Sequence, residues 1–121
     1  MIARRSNSDT YKDNVEPDPE SLFEALTPLG FTVRVTRERW SLITTIKHPI
    51  MLGREEAVKE TLENPEQIRQ SRSDPAVLLF YRGAGESRWV CAVAKQATDP
   101  GFLITAYPTE AIKEGTQVWP K

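Results

Sequence analysis

Apolar and polar positions change their period twice along this chain. Residues 1–20 are polar, carry Pro17 and Pro19 and almost no apolar residue, and read as a disordered or loosely attached acidic leader. "SLFEALTPLG" (21–30) suits one short turn of helix ending before Pro28, with Leu22, Phe23 and Leu26 packed inward. "FTVRV" (31–35) alternates, Phe31, Val33 and Val35 on one side and Thr32 and Arg34 on the other, the period of a half-buried strand. In "RERWSLITTIKH" the spacing lengthens to three and four. Thr36 is a plausible N-cap, Trp40, Ile43 and Ile46 recur inward, and Leu42 lies alongside. His48 follows Thr44 by four residues, as Thr44 follows Trp40, so helical spacing puts the imidazole on the stripe flanking the buried face. Pro49 disfavours helical geometry at His48 and stops the helix there.

A second helix is predicted over Arg54–Glu63, with Val58, Thr61 and Leu62 inward and a Glu55–Lys59 pair outward. "NPEQIRQS" (64–71) reads as a further helix start: Asn64 as cap, Pro65 at the first position, Gln67 reaching back. From residue 76 the period changes again. "AVLLFYR" (76–82), "RWVCAVAK" (88–95) and "GFLITAY" (101–107) are strand-like runs joined by short turn-forming connections, as in an antiparallel meander. The predicted architecture is α+β: two to three helices packed on a small antiparallel sheet of about four strands, in a single domain over residues 21–121.

Composition narrows the function. Hydrophobic residues make up 39% and charged residues 27%, as in an ordinary soluble protein, and no apolar run is long enough to span a membrane. Arg4 and Arg5 are not followed by an apolar stretch, so the start does not read as a secretory signal. The one cysteine, Cys91, has no partner for an internal disulfide and reads as a buried, reduced thiol in the cytoplasm. The net charge of −1 conceals an uneven distribution. Residues 1–26 carry three basic and six acidic side chains, whereas residues 34–95 carry eleven basic and eight acidic. The body is therefore mildly basic behind an acidic leader, which is compatible with RNA contact without demanding it.

One histidine, one cysteine and no tight carboxylate cluster cannot supply the usual four zinc ligands, so neither metal nor cofactor is expected. No histidine is fixed beside a serine or cysteine nucleophile, and "GAGES" bridges two strands as a hairpin turn instead of opening a helix. Metal-free chemistry on a phosphodiester remains. It needs a base for the 2′-hydroxyl, an acid for the 5′-oxygen, and cations or donors about the phosphorus. His48, as the one imidazole of the chain, can serve either proton role. Arg72, Arg82, Arg88 and Lys95 stand at strand ends or in loops, and Thr105 and Tyr107 share one strand face and offer hydroxyls. Each has an ordinary alternative as a helix-end residue, a solvated cation or a strand residue, and Tyr107 is equally suited to stacking on a base.

The succession "RWSLITTIKHP", "REEAVKETLENPEQIRQS", "LLFYR", "RWVCAVAK" and "GFLITAYPT" resembles small bacterial and phage-associated domains of the barnase–EndoU–colicin–RelE ribonuclease-fold superfamily. The resemblance covers roughly residues 31–119. It implies a barnase- or RelE-like fold and metal-independent RNA cleavage by transphosphorylation. It also implies His48 as general acid or base, Ser71 and Arg72 as polar residues of the site, and Thr105 and Tyr107 as residues closing it. Arg82, Arg88 and Lys95 match phosphate contacts by location only. The leading expectation is a cytoplasmic endoribonuclease, a toxin or a phage or defence effector, with RNA as substrate and a cognate inhibitor or antitoxin as partner. The alternative is a non-catalytic RNA- or protein-binding module on the same fold. A small-molecule enzyme ranks third, because it would need a deep apolar pocket. The leader, from charge alone, suits a self-inhibiting segment over the basic body.

Overall fold

A computed structural model describes residues 20–121. The leader assigned to residues 1–20, with its suggested inhibitory role, lies outside the described residues except for Glu20. The elements are β1 (Ser21–Leu26), β2 (Thr32–Thr36), α1 (Arg37–Leu42), a π-helical turn (Ile43–Lys47), a 3-10 turn (Pro49–Met51), α2 (Glu55–Glu63), β3 (Gln67–Gln70), β4 (Val77–Gly83), β5 (Trp89–Lys95), β6 (Gly101–Thr109) and β7 (Thr116–Trp119).

The seven strands of the described residues form one mixed sheet in the order β1-β2-β6-β5-β4-β3-β7. Only β2 and β6 run parallel, through Val33–Gly101 and Arg34–Phe102. This corrects the predicted architecture: among the described residues the sheet has seven strands where about four were expected, and there are two short α-helices where two to three were to pack on a small sheet.

Each added strand has a physical cause. Residues 21–26 hold two polar positions, Ser21 and Glu24, and Pro28 leaves too little chain for a stable helix, so they pair antiparallel with β2 across the Thr27–Gly30 turn, burying Ala25. "NPEQIRQS" has a helix-start signal but one strongly apolar residue, Ile68, so a helix there would have no face to bury. Pairing on both sides, with β4 and β7, wins instead and buries Ile68 completely. β7 was not anticipated, because "TQVW" is too short to signal a strand without the edge it joins.

The helices cover one face. Val33, Val35, Trp40, Ile43, Met51, Val58, Leu62, Ile68, Phe80, Ala92, Leu103 and Ala106 form the main core between them and the sheet. Val58, Thr61 and Leu62 are buried from α2, as the spacing predicted. A second, smaller cluster lies on the opposite face around Leu79, Tyr81, Cys91 and Val93, with Trp89, Ile104, Tyr107 and Ile112 packed against it.

β4, β5 and β6 form the antiparallel meander, but β6 contains a bulge: Val93 pairs with Thr105 and Ala94 with Leu103, leaving Ile104 as the extra residue. Because side chains alternate, that one residue puts both Leu103 and Ala106 toward the helices. Thr105 and Tyr107, paired with Val93 and Cys91, fall on the opposite face.

Candidate functional site

The mounting of His48 departs from a plain helix. Thr36 caps α1 by accepting a hydrogen bond from the Arg39 N–H at 3.1 Å. Beyond Leu42 the helix widens, and the His48 N–H reaches the Ile43 carbonyl at 2.7 Å, five residues back. The Thr44 hydroxyl donates to the Trp40 carbonyl and the Thr45 hydroxyl to the Ser41 carbonyl, at 3.0 and 2.7 Å. Such back-bonding competes for the carbonyls of a regular helix. The extra residue in the turn breaks the predicted stripe. Ile46, expected inward, is 72% exposed, while Ile43 and Thr44 remain buried. His48 is then held between two anchors, Ile43 before it and Met51 after it, both essentially fully buried.

The turns carrying His48 lie along β6, beyond the short stretch of β6 that pairs with β2. The imidazole meets the Tyr107 ring there, centroids 5.3 Å apart and planes inclined at 40°. Among the described residues the imidazole nitrogens have no hydrogen-bond partner.

Tyr107 is one end of a row across the sheet. Register places Gln67 beside Tyr81, Tyr81 beside Cys91, and Cys91 beside Tyr107. Burial pushes the Cys91 thiol up to about 11, against the pull of hydrogen bonds from the Tyr107 and Tyr81 hydroxyls. Burial likewise raises both phenols well above their ordinary range, aided by the neighbouring thiol and the Glu114 carboxylate. The row is therefore neutral and protonated at physiological pH: two phenols and a thiol that is a poor nucleophile.

Residues 110–115 form a strap over this row. β6 and β7 are four inter-strand spacings apart, about 19 Å, so the connection must cross the sheet. It does so on the face opposite the helices, with Ile112 packed into the second cluster. Arg69 ties it down: Nε and Nη2 donate to the carbonyls of Glu114 and Gly115 at 2.7 and 2.8 Å, while Nη1 donates to Gln67 at 3.0 Å. Gly115 is required at the crossing, because its φ is +80° and a Cβ would collide with the Gln70 carbonyl oxygen. Under the strap, a cavity of about 360 Å³ is bordered by Tyr81, Tyr107, Thr109, Glu110, Lys113 and Glu114.

The residues singled out in the sequence do not all converge. His48 and Tyr107 meet, and Thr105 lies on the same strand and face as Tyr107. The Thr105 Oγ1, however, is buried without a hydrogen-bond partner among the described residues, so its hydroxyl does not reach the surface. Arg82 is on the helix side, donating to the Asn64 carbonyl at 2.6 Å and 3.5 Å from Glu60. Lys95 stands 3.1 Å from Asp74 at the far end of β5. Arg88 is exposed at the β4–β5 hairpin beside Pro108, Thr109 and Glu110. Ser71 and Arg72 lie in the loop after β3, three strand spacings or about 14 Å across the sheet from β6. One phosphate cannot touch both His48 and that loop backbone. Tyr81, Arg69, Lys113 and Glu114 were not singled out. Only register and the strap crossing bring them to the row, and no local motif announces either.

No cluster of three or more His, Cys, Asp or Glu able to hold a metal ion occurs among the described residues, and none of their helices is long and apolar enough to cross a membrane. Comparison with protein-family models, curated proteins and solved structures gives no match.

Proposed function

We propose that this protein is a metal-independent ribonuclease that cleaves RNA by transphosphorylation, with His48 as a proton carrier. The observation that carries this reading is the placement of an imidazole with unengaged nitrogens beside the Tyr107 phenol, which borders the cavity under the strap. In the reaction the 2′-oxygen bonds to phosphorus as the bond to the 5′-oxygen breaks. The 2′-proton is removed, and a proton is delivered to the leaving oxygen. His48 handles one of these two transfers. Tyr107, whose phenol stays protonated and bonds Cys91, is not a base and supplies the ring beside which the imidazole stands. The resemblance of residues 31–119 to the barnase–EndoU–colicin–RelE superfamily supports the same activity. A cytoplasmic setting belongs to this proposal, supported by the single buried and unbridged Cys91.

The test is incubation of the purified protein with single-stranded RNA in EDTA. Products ending in 2′,3′-cyclic phosphate are expected, with no cleavage of DNA of the same sequence, and His48→Ala loses the activity while retaining the thermal transition. The direction of the limb lost in a pH–rate profile identifies which proton His48 carries. Undiminished cleavage by folded His48→Ala overturns the assignment.

A second reading, a binding module without catalysis, is favoured by Ile46, Ile50 and Leu52, which are exposed by 72, 63 and 72% on the segment flanking His48. It predicts RNA or a protein partner bound with no cleavage products.

A further inference from the structure

We propose a separate anion subsite, formed by Arg72, Ser71 and Ser73 of the β3–β4 loop with Lys113 of the strap, that takes a backbone phosphate of the RNA at a distance from the scissile bond. The inference rests on the ribonuclease reading and specifies where the strand runs.

Ser71, Arg72, Ser73, Leu79 and Lys113 border one cavity of about 400 Å³ with the Glu114–Gly115 end of the strap. Its two cations have no ion-pair partner among the described residues, unlike Arg82 and Lys95, which are held by Glu60 and Asp74. Arg69, on the same face, is consumed in holding the strap. The two hydroxyls are already gathered, Ser71 Oγ lying 3.1 Å from Ser73 Oγ. Two acids are near, and neither dominates the cavity. Asp74 accepts from the Ala76 N–H at 3.0 Å and faces Lys95, and both hold its carboxyl below the usual range. The Glu114 carboxylate acts on Tyr81, Cys91 and Tyr107, which places its field toward the tyrosine row.

Cations, hydroxyls and a shallow concavity are the recognition chemistry of a phosphate, and Arg72 supplies a planar fork for two of its oxygens. The location points to a polynucleotide. Lys113 and Glu114 border this cavity and also the one beside Tyr107, so the two cavities adjoin across the strap. With about 14 Å between β3 and β6, a single phosphodiester cannot serve both ends, whereas one extended strand can pass from His48 over Lys113 to Arg72.

The test uses the full chain carrying His48→Ala, so that substrate survives, and fluorescein-labelled single-stranded RNAs of about three and about eight nucleotides. The longer strand is expected to bind about tenfold more tightly than the shorter. Arg72→Gln with Lys113→Gln should bring that ratio near one and flatten the salt dependence of the longer strand by about 0.7 in log–log slope per lost phosphate contact. If the ratio and slope are unchanged while the parent protein cleaves RNA, the subsite is wrong and the ribonuclease reading stands. If neither strand binds and RNA is not cleaved, both fall. Titration with inorganic phosphate alone, followed at the Ser71–Ser73 amides, separates the sources. A response to phosphate equal to that given by the longer RNA marks a free-anion site and overturns the strand path.

Discussion

The ring of Tyr107 on β6 packs against the ring of His48 at 5.3 Å, joining a strand and a helical turn that are remote in sequence. The same phenol also leans on Cys91, so its ring faces the histidine while its hydroxyl belongs to the buried row. The two functions of Tyr107 are thus separable by substitution.

Tyr107→Phe keeps the wall beside His48 and removes the hydroxyl that bonds Cys91. RNA cleavage, measured as kcat/KM on single-stranded RNA, should stay close to that of the parent, while urea unfolding shows a loss of about 0.5–1.5 kcal/mol. Tyr107→Ala removes the wall as well, and its cleavage rate should fall well below both. A large loss of rate in folded Tyr107→Phe would show that the hydroxyl takes part in the chemistry.

Ile43 fastens the π-helical turn to the main core and accepts the His48 N–H on its carbonyl. Ile43→Ala leaves the backbone bond available but opens a cavity under the turn. It should cost about 2–5 kcal/mol in urea unfolding, whereas Ile43→Val should cost about 0.5–1.5 kcal/mol.

Alkali should destabilise the protein. The Cys91 thiol is raised from 9.0 to about 11 in the folded state, so the folded chain keeps a proton that the unfolded chain has released. This contribution is complete below the unfolded value and is lost as pH rises through about 9 to 11, and the raised phenols of Tyr81 and Tyr107 act in the same direction above their ordinary range. The urea midpoint should therefore drop between about pH 7.5 and about pH 10.5. Native Cys91 should resist iodoacetamide until the protein unfolds.

The strap depends on two contacts. Arg69→Gln removes two charge-assisted bonds to strap carbonyls, and amide exchange over residues 112–115 should accelerate. Gly115→Ala should cost more than about 1 kcal/mol, because its φ of +80° is strained for alanine and the added methyl meets the Gln70 carbonyl. An unchanged melting temperature for Gly115→Ala would mean that the strap does not lie against β3.

Elements with a strong local signal were legible in the chain itself. Alternation marked β2, continuous apolar runs bounded by turn residues marked β4 and β5, a mostly apolar run marked β6, and the apolar spacing of Val58, Thr61 and Leu62 marked α2. The residue types capable of proton and anion chemistry were equally plain, since only one histidine was present to choose.

Tertiary structure decided what local patterns could not encode. β1, β3 and β7 are strands because neighbouring edges satisfy their backbone groups, although "NPEQ" alone favours a helix start. The π-helical turn moved His48 off its predicted stripe, and the Ile104 bulge set which face receives Tyr107. Helical spacing and strand alternation describe a residue only relative to its own element. The meeting of His48 with Tyr107, the separation of Arg72 from both, and the crossing of Lys113 between them depend on strand order, which is fixed by pairing between distant segments.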